Sequence, residues 1–162
     1  MLIMGVDPGT AITGYGVLEY AGSRFRLVES DCIRTEAGWP LAERLRIIYA
    51  RLGAILHKYR PAEFAVEQLF FNTNTRTALA VGHARGVVLL AAAEAGLVVN
   101  EYTPLQVKQA VTGFGRAEKQ QVQYMVRRIL SLPEPPRPDD VADALAVAIC
   151  HGHCRGRLGV NW

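Results

Sequence analysis

The sequence predicts an α/β domain in which a five-stranded mixed sheet is flanked by helices. Two observations support this prediction. Short apolar segments typical of buried strands are interspersed with longer segments of helical periodicity, and the first three strand segments follow one another with no helix between them. The chain has 162 residues, of which 50% are hydrophobic and 20% are charged, as expected for one domain with its own core. We expect this domain to span residues 1–154, followed by a short C-terminal tail at 155–162.

The strands are predicted from apolar runs and from the turn residues that bound them. Residues 2–6 form an apolar run that ends in the turn sequence Asp7-Pro8-Gly9-Thr10, which indicates a buried strand with a carboxylate at its end. Gly22 and Ser23 supply the turn of a hairpin. A short run ending at Glu67 is typical of a strand buried on both faces. The further predicted strands are residues 14–20, 24–34, 64–67 and 97–102.

The helices are predicted from apolar spacings of three and four residues and from capping residues. The first has apolar positions from Leu41 to Tyr59 on one face and ends at Pro61. Thr103 and Pro104 are typical of a helix start. The further predicted helices are residues 73–95, a short helix from 103 that Gly113 and Gly115 break, residues 117–130, and a final apolar helix from Asp139. Strands and helices in this order are those of the five-stranded RNase H-like arrangement.

Charge and cysteine content limit the class of protein. A formal net charge of +3 is compatible with a nucleic-acid partner but does not require one. The three cysteines are few, and no charged segment precedes an apolar stretch at the start of the sequence, so we expect a reduced, cytoplasmic protein. No uncharged run approaches the roughly 18 residues of a membrane-spanning helix, so no membrane association is expected.

Four acidic residues stand out because of their apolar surroundings. Asp7 and Glu67 end apolar strands, whereas Asp140 and Asp143 interrupt an apolar helix and lie three residues apart, on one helix face. An ionised carboxylate in such a setting costs several kcal/mol unless a cation accompanies it. Oxygen ligands suit Mg²⁺, with Mn²⁺ as a substitute, and two such ions are the usual device for phosphodiester hydrolysis. The four acids therefore predict a two-metal nuclease whose products carry 5′-phosphate and 3′-hydroxyl ends.

The same motifs also fit structures that are not nuclease sites. Taken singly, Asp7 could cap a turn, Asp140 could stabilise a helix N-terminus, and Glu67 could pair with a distant arginine. The Asp-x-Gly-Thr sequence is also a phosphate-binding signature of actin-like and sugar-kinase-like ATPases, which need two similar halves and usually more than about 300 residues. A zinc site at residues 150–154 (CHGHC) is disfavoured because its ligands are crowded on one helix end.

Two segments are candidates for contacting DNA. Phe70 and Phe71 follow Glu67 directly and could stack on bases at a branch point, although burial in the core accounts for them as well. Asn74 and Arg76 follow in the same segment. A basic segment later in the chain could hold phosphates, with a solvated helix face as the alternative for its last two members. Its basic residues are Lys108, Arg116, Lys119, Arg127 and Arg128.

Five blocks of sequence occur in order along the chain: DPGT at 7–10, VEQLFF at 66–71, ARGV at 84–87, QVKQAVTGFGRAEKQQV at 106–122 and DDVADALAVAICH at 139–151. Together they resemble the RuvC family of bacterial Holliday-junction resolvases over about residues 1–154. The resemblance implies that Asp7, Glu67, Asp140 and Asp143 are the metal-binding catalytic residues. It also implies that Phe70 is the aromatic residue that probes the junction, and that Lys108 and Lys119 are lysines of the active site, with Lys119 contacting the phosphate near the cut.

The resemblance further implies a homodimer that resolves four-way DNA junctions by paired symmetric nicks, in homologous recombination and repair, beside the RuvA and RuvB branch-migration proteins. A stripe of small residues, Ala80, Ala84, Val88 and Ala91, is a candidate dimer face, and core burial accounts for it equally well. Two alternatives remain: a nuclease of the same fold that acts on RNA–DNA hybrid or structured RNA, and a junction-binding protein without turnover.

Overall fold

The computed structural model describes residues 1–68 and 75–155, with the side chains of residues 75–77 left aside. The described strands begin and end close to the predicted positions. The bounds of the strands are β1 Leu2–Asp7, β2 Ile12–Ala21, β3 Arg24–Arg34, β4 Glu63–Glu67 and β5 Val99–Tyr102. The first three of them precede the first helix, as predicted.

The helices of the described residues also match the prediction. Thr103 caps one of them through a capping box with Gln106, with Pro104 in its first turn, and Gly113 ends the same helix in the left-handed conformation at φ 77°. The last helix begins at Asp139, directly after the proline-rich connector. The bounds are α1 Leu41–Tyr59, α2 Thr75–Glu94, α3 Pro104–Thr112, α4 Lys119–Ile129 and α5 Asp139–Cys154.

The five strands form one mixed sheet in the order β3-β2-β1-β4-β5. The hairpin turn between β2 and β3 places both Gly22 and Ser23 at positive φ, as expected from its sequence. β1 pairs antiparallel with β2 and parallel with β4, and β4 pairs parallel with β5. The predicted fold class, a five-stranded mixed sheet flanked by helices, is therefore confirmed.

Each face of the sheet carries its own hydrophobic core. Side chains alternate along β1, so Ile3 packs with α5 on one face, whereas Met4 packs with α1 and α2 on the other. The second core also contains Ala84, Val88 and Ala91, which are at most 4% exposed. Three of the four residues of the small-residue stripe are thus buried within the chain itself, so the suggestion of a dimer face is wrong for these three, whereas it stays a prediction for the partly exposed Ala80.

Within the described ranges, no helix is both long and apolar enough to cross a membrane. The tail expected at residues 155–162 lies, apart from Arg155, outside the described residues.

Candidate active site

Asp7 and Glu67 lie side by side at the carboxyl ends of two neighbouring parallel strands. Val6 of β1 is opposite Val66 of β4, and the two acids are the next residues along. Neighbouring strands are about 5 Å apart, so the two backbones are close at this edge. Because side chains alternate, both acids project to the same face as Ile3, the face that α5 covers.

α5 lies unusually close to this face because glycines line its path. Gly14 is directly opposite Asp7 in the β1–β2 ladder, and a Cβ atom on it would be 2.0 Å from the carbonyl oxygen of Asp140. A Cβ atom on Gly5 would be 2.2 Å from the carbonyl oxygen of Ala144. The backbone of α5 therefore rests on the backbone of β1 and β2, which brings the first turn of α5 to Asp7.

The loop that follows Asp7 is fixed by hydroxyl groups. The buried Thr13 donates from Oγ1 to the carbonyl oxygen of Gly9 at 2.7 Å. Thr35 donates from Oγ1 to the carbonyl oxygen of Thr10 at 2.5 Å and accepts from Nε of Arg44 at 2.8 Å. This loop thereby holds the end of β1, and Asp7 with it, against the rest of the sheet.

The four predicted acids act on one another electrostatically. The pKa of Asp7 is raised from 3.8 to about 7, chiefly by burial and then by the negative charges of Asp143, Glu67 and Asp140, while the positive charge of Lys119 acts in the opposite direction. Burial and then the charge of Asp143 also raise the pKa of Glu67. The pKa of Asp143 is raised as well, chiefly by burial. Carboxylates from β1, β4 and α5 are therefore close enough to act on one another's charge, and their role as a metal site stays a prediction.

Lys119 at the start of α4 lies against this group of acids. Its Nζ is 3.1 Å from Oδ2 of Asp143 and 3.2 Å from Oδ2 of Asp139. In the described part of the chain, no three acidic, histidine or cysteine side chains are placed so as to hold a metal ion as they stand. The donor set nevertheless fits a hard divalent cation, because it consists of carboxylate oxygens whose mutual repulsion favours positive charge between them.

A cleft of about 230 Å³ lies beside the acids. Its lining includes two of the predicted acids, Glu67 and Asp143, and two of the predicted lysines, Lys108 and Lys119. The positive charge of Lys108 lowers the pKa of Glu67, against the effect of burial. We call this feature, defined by these four residues, the carboxylate cleft.

The basic segment is divided between different surfaces. Arg116 lines a separate groove of about 880 Å³ together with Leu105, Phe114 and His153. Arg127 donates from Nε to the carbonyl oxygen of Leu132 and so serves the end of α4. Of this segment, Lys108 and Lys119 line the carboxylate cleft, whereas the predicted contact of Arg116 with DNA stays a prediction.

The aromatic segment after Glu67 cannot be placed in the same way. Phe70, Phe71 and Asn74 lie outside the described residues, as does the side chain of Arg76. Their predicted contacts with DNA stay predictions.

Sequence reasoning missed two polar arrangements. Arg85 of α2 donates to the backbone carbonyl of Glu67 and pairs with Glu101 at 2.6 Å. His151 is 1% exposed and bonds through Nδ1 to the Tyr102 hydroxyl at 2.7 Å and through Nε2 to Glu63 at 2.6 Å. Arg85 stands in the ARGV block and His151 in the last block, but neither position in the sequence discloses its partner.

Comparison with known proteins gives one consistent result. The family model described as "Crossover junction endodeoxyribonuclease RuvC" matches residues 3–151. A protein of that name from Pelotomaculum thermopropionicum is 72% identical over 153 residues, which are 94% of this chain and 93% of the relative. A second, from Desulforamulus reducens, is 61% identical and covers 98% of both chains.

Solved structures agree with the family match. The structure of T. thermophilus RuvC in complex with Holliday junction substrate superposes with a TM-score of 0.91 at 44% identity, and the match covers 98% of this chain and 96% of that one. The yeast mitochondrial Holliday junction resolvase Ydc2 has a TM-score of 0.67 at 12% identity, over 97% of this chain and 81% of that one, which shows a shared fold.

Proposed function

This chain belongs to the RuvC family of crossover junction endodeoxyribonucleases, and on that premise we propose that it resolves four-way DNA junctions by cutting them at the carboxylate cleft. The observation that carries the proposal is the meeting of Asp7, Glu67 and the first turn of α5 at one edge of the sheet. The relative solved with a Holliday junction substrate supports the same substrate for this chain, since the two chains match almost from end to end.

In this proposal, Asp7, Glu67, Asp140 and Asp143 hold two Mg²⁺ ions, with Mn²⁺ as a working substitute. When bound, the ions supply the positive charge that phosphodiester hydrolysis requires. The chain contributes geometry: Asp7 and Glu67 stand on a sheet edge, and α5 is fixed by backbone contact at Gly14. No three of these side chains form a metal cage as they stand, so the carboxylates would have to rotate to hold the ions.

The proposed metal affinity depends on the protonation of Asp7. With its pKa at about 7, this carboxyl group is only partly ionised at neutral pH in the metal-free protein. The Asp7 carboxyl group would have to lose its remaining proton before it could hold a divalent cation, so metal affinity would rise with pH through this range.

The two lysines act on the phosphate in this proposal. Lys119 lies against Asp143, and Lys108 acts on Glu67 across the same cleft. A scissile phosphate next to the acids would therefore lie within reach of both ammonium groups, which stabilise the negative charge that grows during the reaction. Lys119 has the more direct role because its Nζ already contacts one of the proposed metal ligands. In this proposal, DNA is also contacted by Arg116, Phe70, Phe71, Asn74 and Arg76.

The proposed biological setting follows from the two-fold symmetry of the substrate. Paired symmetric nicks require two active sites, so we propose a homodimer. We further propose that residues 1–154 form the nuclease domain, that the protein acts in the cytoplasm in recombination and repair, and that RuvA and RuvB are its branch-migration partners.

A panel of substrates tests this function. A four-way junction, a flap, a linear duplex and an RNA–DNA hybrid are offered at equal concentration with Mg²⁺, and the four-way junction is expected to be cut first, with 5′-phosphate ends. Preferential cleavage of the hybrid would instead identify a hybrid nuclease, and tight binding of the junction without cleavage would identify a binding protein.

Variants connect the activity to the proposed site. Asp7→Asn and Asp143→Asn are expected to retain junction binding and to lose cleavage by more than about a hundredfold. Glu36→Gln changes an exposed carboxylate in the loop before α1 and serves as the matched control. Cleavage at the wild-type rate by Asp7→Asn would remove Asp7 from the mechanism.

A further inference from the structure

Arg85 joins three elements at the edge of the sheet that carries the proposed active site. It lies on α2, its side chain is only 12% exposed, and it donates through Nη1 to the backbone carbonyl of Glu67. Its Nη2 is 2.6 Å from Oε2 of Glu101 on β5. A single planar guanidinium group thus connects α2, the last residue of β4 and the neighbouring strand.

The hydrogen bond from Arg85 to the Glu67 carbonyl lies where β4 ends. β4 ends at Glu67, and the last ladder contact beyond it is the bond from the Gln68 amide to the carbonyl oxygen of Tyr102 at 2.7 Å. The Glu67 carbonyl accepts from Arg85, so the peptide group that sets the direction of the Glu67 side chain is held by a charged donor. The end of β4 is held on both sides of its terminal peptide.

Arg85 acts on the backbone of Glu67. The charges that shift the pKa of the Glu67 carboxyl group are those of Asp143, Lys108 and Lys119. The charge of Arg85 is instead paired with Glu101, whose side chain is 40% exposed. Arg85 is therefore suited to fix where the carboxylate lies while leaving that carboxylate free for another cation.

We propose that Arg85 is a positioning residue for Glu67: its guanidinium group, held by Glu101, fixes the end of β4 so that the Glu67 carboxylate meets Asp7 and Asp143 in a geometry that binds a divalent cation. This inference rests on the proposed function of the same site. Residues that orient metal ligands from behind commonly change metal affinity by about 10- to 100-fold when they are replaced.

The test compares Arg85→Met, which keeps the aliphatic stem, with Arg85→Lys, which keeps the charge, and with Glu101→Gln. Mn²⁺ binding is measured by titration calorimetry without DNA, junction binding by gel shift in EDTA, and cleavage under single-turnover conditions. Arg85→Met is expected to weaken Mn²⁺ binding and to slow cleavage by about tenfold or more, with junction affinity within about twofold of wild type. Arg85→Lys should recover part of the loss, and Glu101→Gln should show a smaller loss of the same kind.

Arg26→Met is the matched control, because Arg26 forms a comparable ion pair with Glu19 at 2.7 Å on the exposed β2–β3 surface. It should change none of the three measurements. The inference is overturned if Arg85→Met binds Mn²⁺ and cuts like wild type, or if its junction affinity falls as much as its cleavage, which would make Arg85 a DNA contact. If Arg85→Met does not fold, Arg85→Lys and Glu101→Gln carry the same comparison, and wild-type Mn²⁺ affinity in both overturns the inference.

The two proposals fail in distinguishable ways. A wild-type chain that cuts no four-way junction contradicts the proposed function, whereas Mn²⁺ binding still reports whether Arg85 positions Glu67.

Discussion

Gly14 lies directly opposite Asp7 in the β1–β2 ladder, and a Cβ atom at this position would lie 2.0 Å from the carbonyl oxygen of Asp140. Gly14, which has no side chain, thus sets how closely α5 approaches the sheet. Three of the four proposed metal ligands depend on this distance, because Asp7 is on β1 and Asp140 and Asp143 are on α5. Neither the sheet nor α5 can move apart without a loss of packing, because Asp7 belongs to the central strand and α5 is packed into the core along most of its length.

Gly14→Ala is therefore expected to displace the first turn of α5 and to slow junction cleavage by more than about tenfold. It should also lower the free energy of unfolding by about 1–3 kcal/mol, as overpacking generally does. Single-turnover cleavage and urea unfolding measure the two effects. Gly53→Ala is the control, because nothing lies within 4 Å of a Cβ atom there and alanine suits the interior of α1. Cleavage at the wild-type rate by Gly14→Ala would show that the close approach of α5 does not set the site.

Asp7→Asn is expected to stabilise the metal-free protein at high pH. The pKa of Asp7 is raised from 3.8 to about 7 in the folded chain, so between these values the folded state binds more protons than the unfolded state. Stability due to this group therefore falls as pH rises from 3.8 to 7, by at most about 4 kcal/mol, and the full penalty is present above pH 7. Replacing the carboxylate by an amide removes this penalty.

Urea unfolding in EDTA between pH 4 and pH 8 measures the effect of Asp7→Asn. The variant should gain stability over wild type as pH rises, and the gain should shrink toward pH 4. The exposed replacement Glu36→Gln should show no such trend. A variant that is less stable than wild type at pH 8 would contradict the charge repulsion described for this site.

Lys119→Met separates activity from stability. The ion pairs of Lys119 with Asp139 and Asp143 are partly exposed, with the lysine side chain 53% exposed, and pairs of this kind contribute at most about 1 kcal/mol. We expect a melting temperature within a few degrees of wild type but a loss of cleavage of more than about a hundredfold, because the phosphate loses one of its two proposed lysine contacts. Asp139→Asn removes one of the two ion pairs and leaves the lysine, so its loss of cleavage should be far smaller. Equal losses in both variants would mean that the ion pairs matter, rather than the ammonium group.

The sequence was sufficient to predict the elements of the fold because each has a strong local signal. The apolar spacing from Leu41 to Tyr59 indicated the bounds of α1, and the capping residues at Thr103 and Pro104 indicated the start of α3. The four acids could be singled out for a similar reason: each ends or interrupts an apolar segment, where an unpaired charge is costly.

Relationships across the sheet were not accessible from local patterns. Arg116 lines a different groove from Lys108 and Lys119, which its place in the sequence between these two lysines does not indicate. The stripe on α2 was open to two interpretations, because small residues suit both a core and an interface, and only packing against α1 and the sheet decides between them. Arg85 and Glu101 lie 16 residues apart on different elements, and no periodicity predicts such a pair.

The last prediction concerns the buried His151 at the far end of α5 from the acids. The His151 ring is neutral when the Tyr102 hydroxyl donates to Nδ1 and Nε2 donates to Glu63. Burial lowers the pKa of His151, and the hydrogen bond to Glu63 offsets this effect only in part. The unfolded state therefore takes up protons first on acidification, so stability from this group is complete above about pH 6.5 and is lost as pH falls through the lower pKa of the folded chain. Burial raises the pKa of Glu63, but hydrogen bonds from Arg155 and His151 outweigh burial, so this pKa is lower than the ordinary value of 4.5. The contribution of Glu63 to stability is therefore lost only as pH falls below 4.5.

His151→Gln should be less stable than wild type at pH 8, by about 1–3 kcal/mol, because a buried hydrogen-bonded group is replaced imperfectly. The difference from wild type should become smaller between pH 6.5 and pH 5, where only wild type has a histidine here to protonate. Measuring the difference cancels the opposite trend that Asp7 contributes to both proteins in this range. A difference in stability that stays constant from pH 8 to pH 5 would mean that His151 does not change its protonation on unfolding. His151, Tyr102 and Glu63 would then stabilise α5 by packing alone.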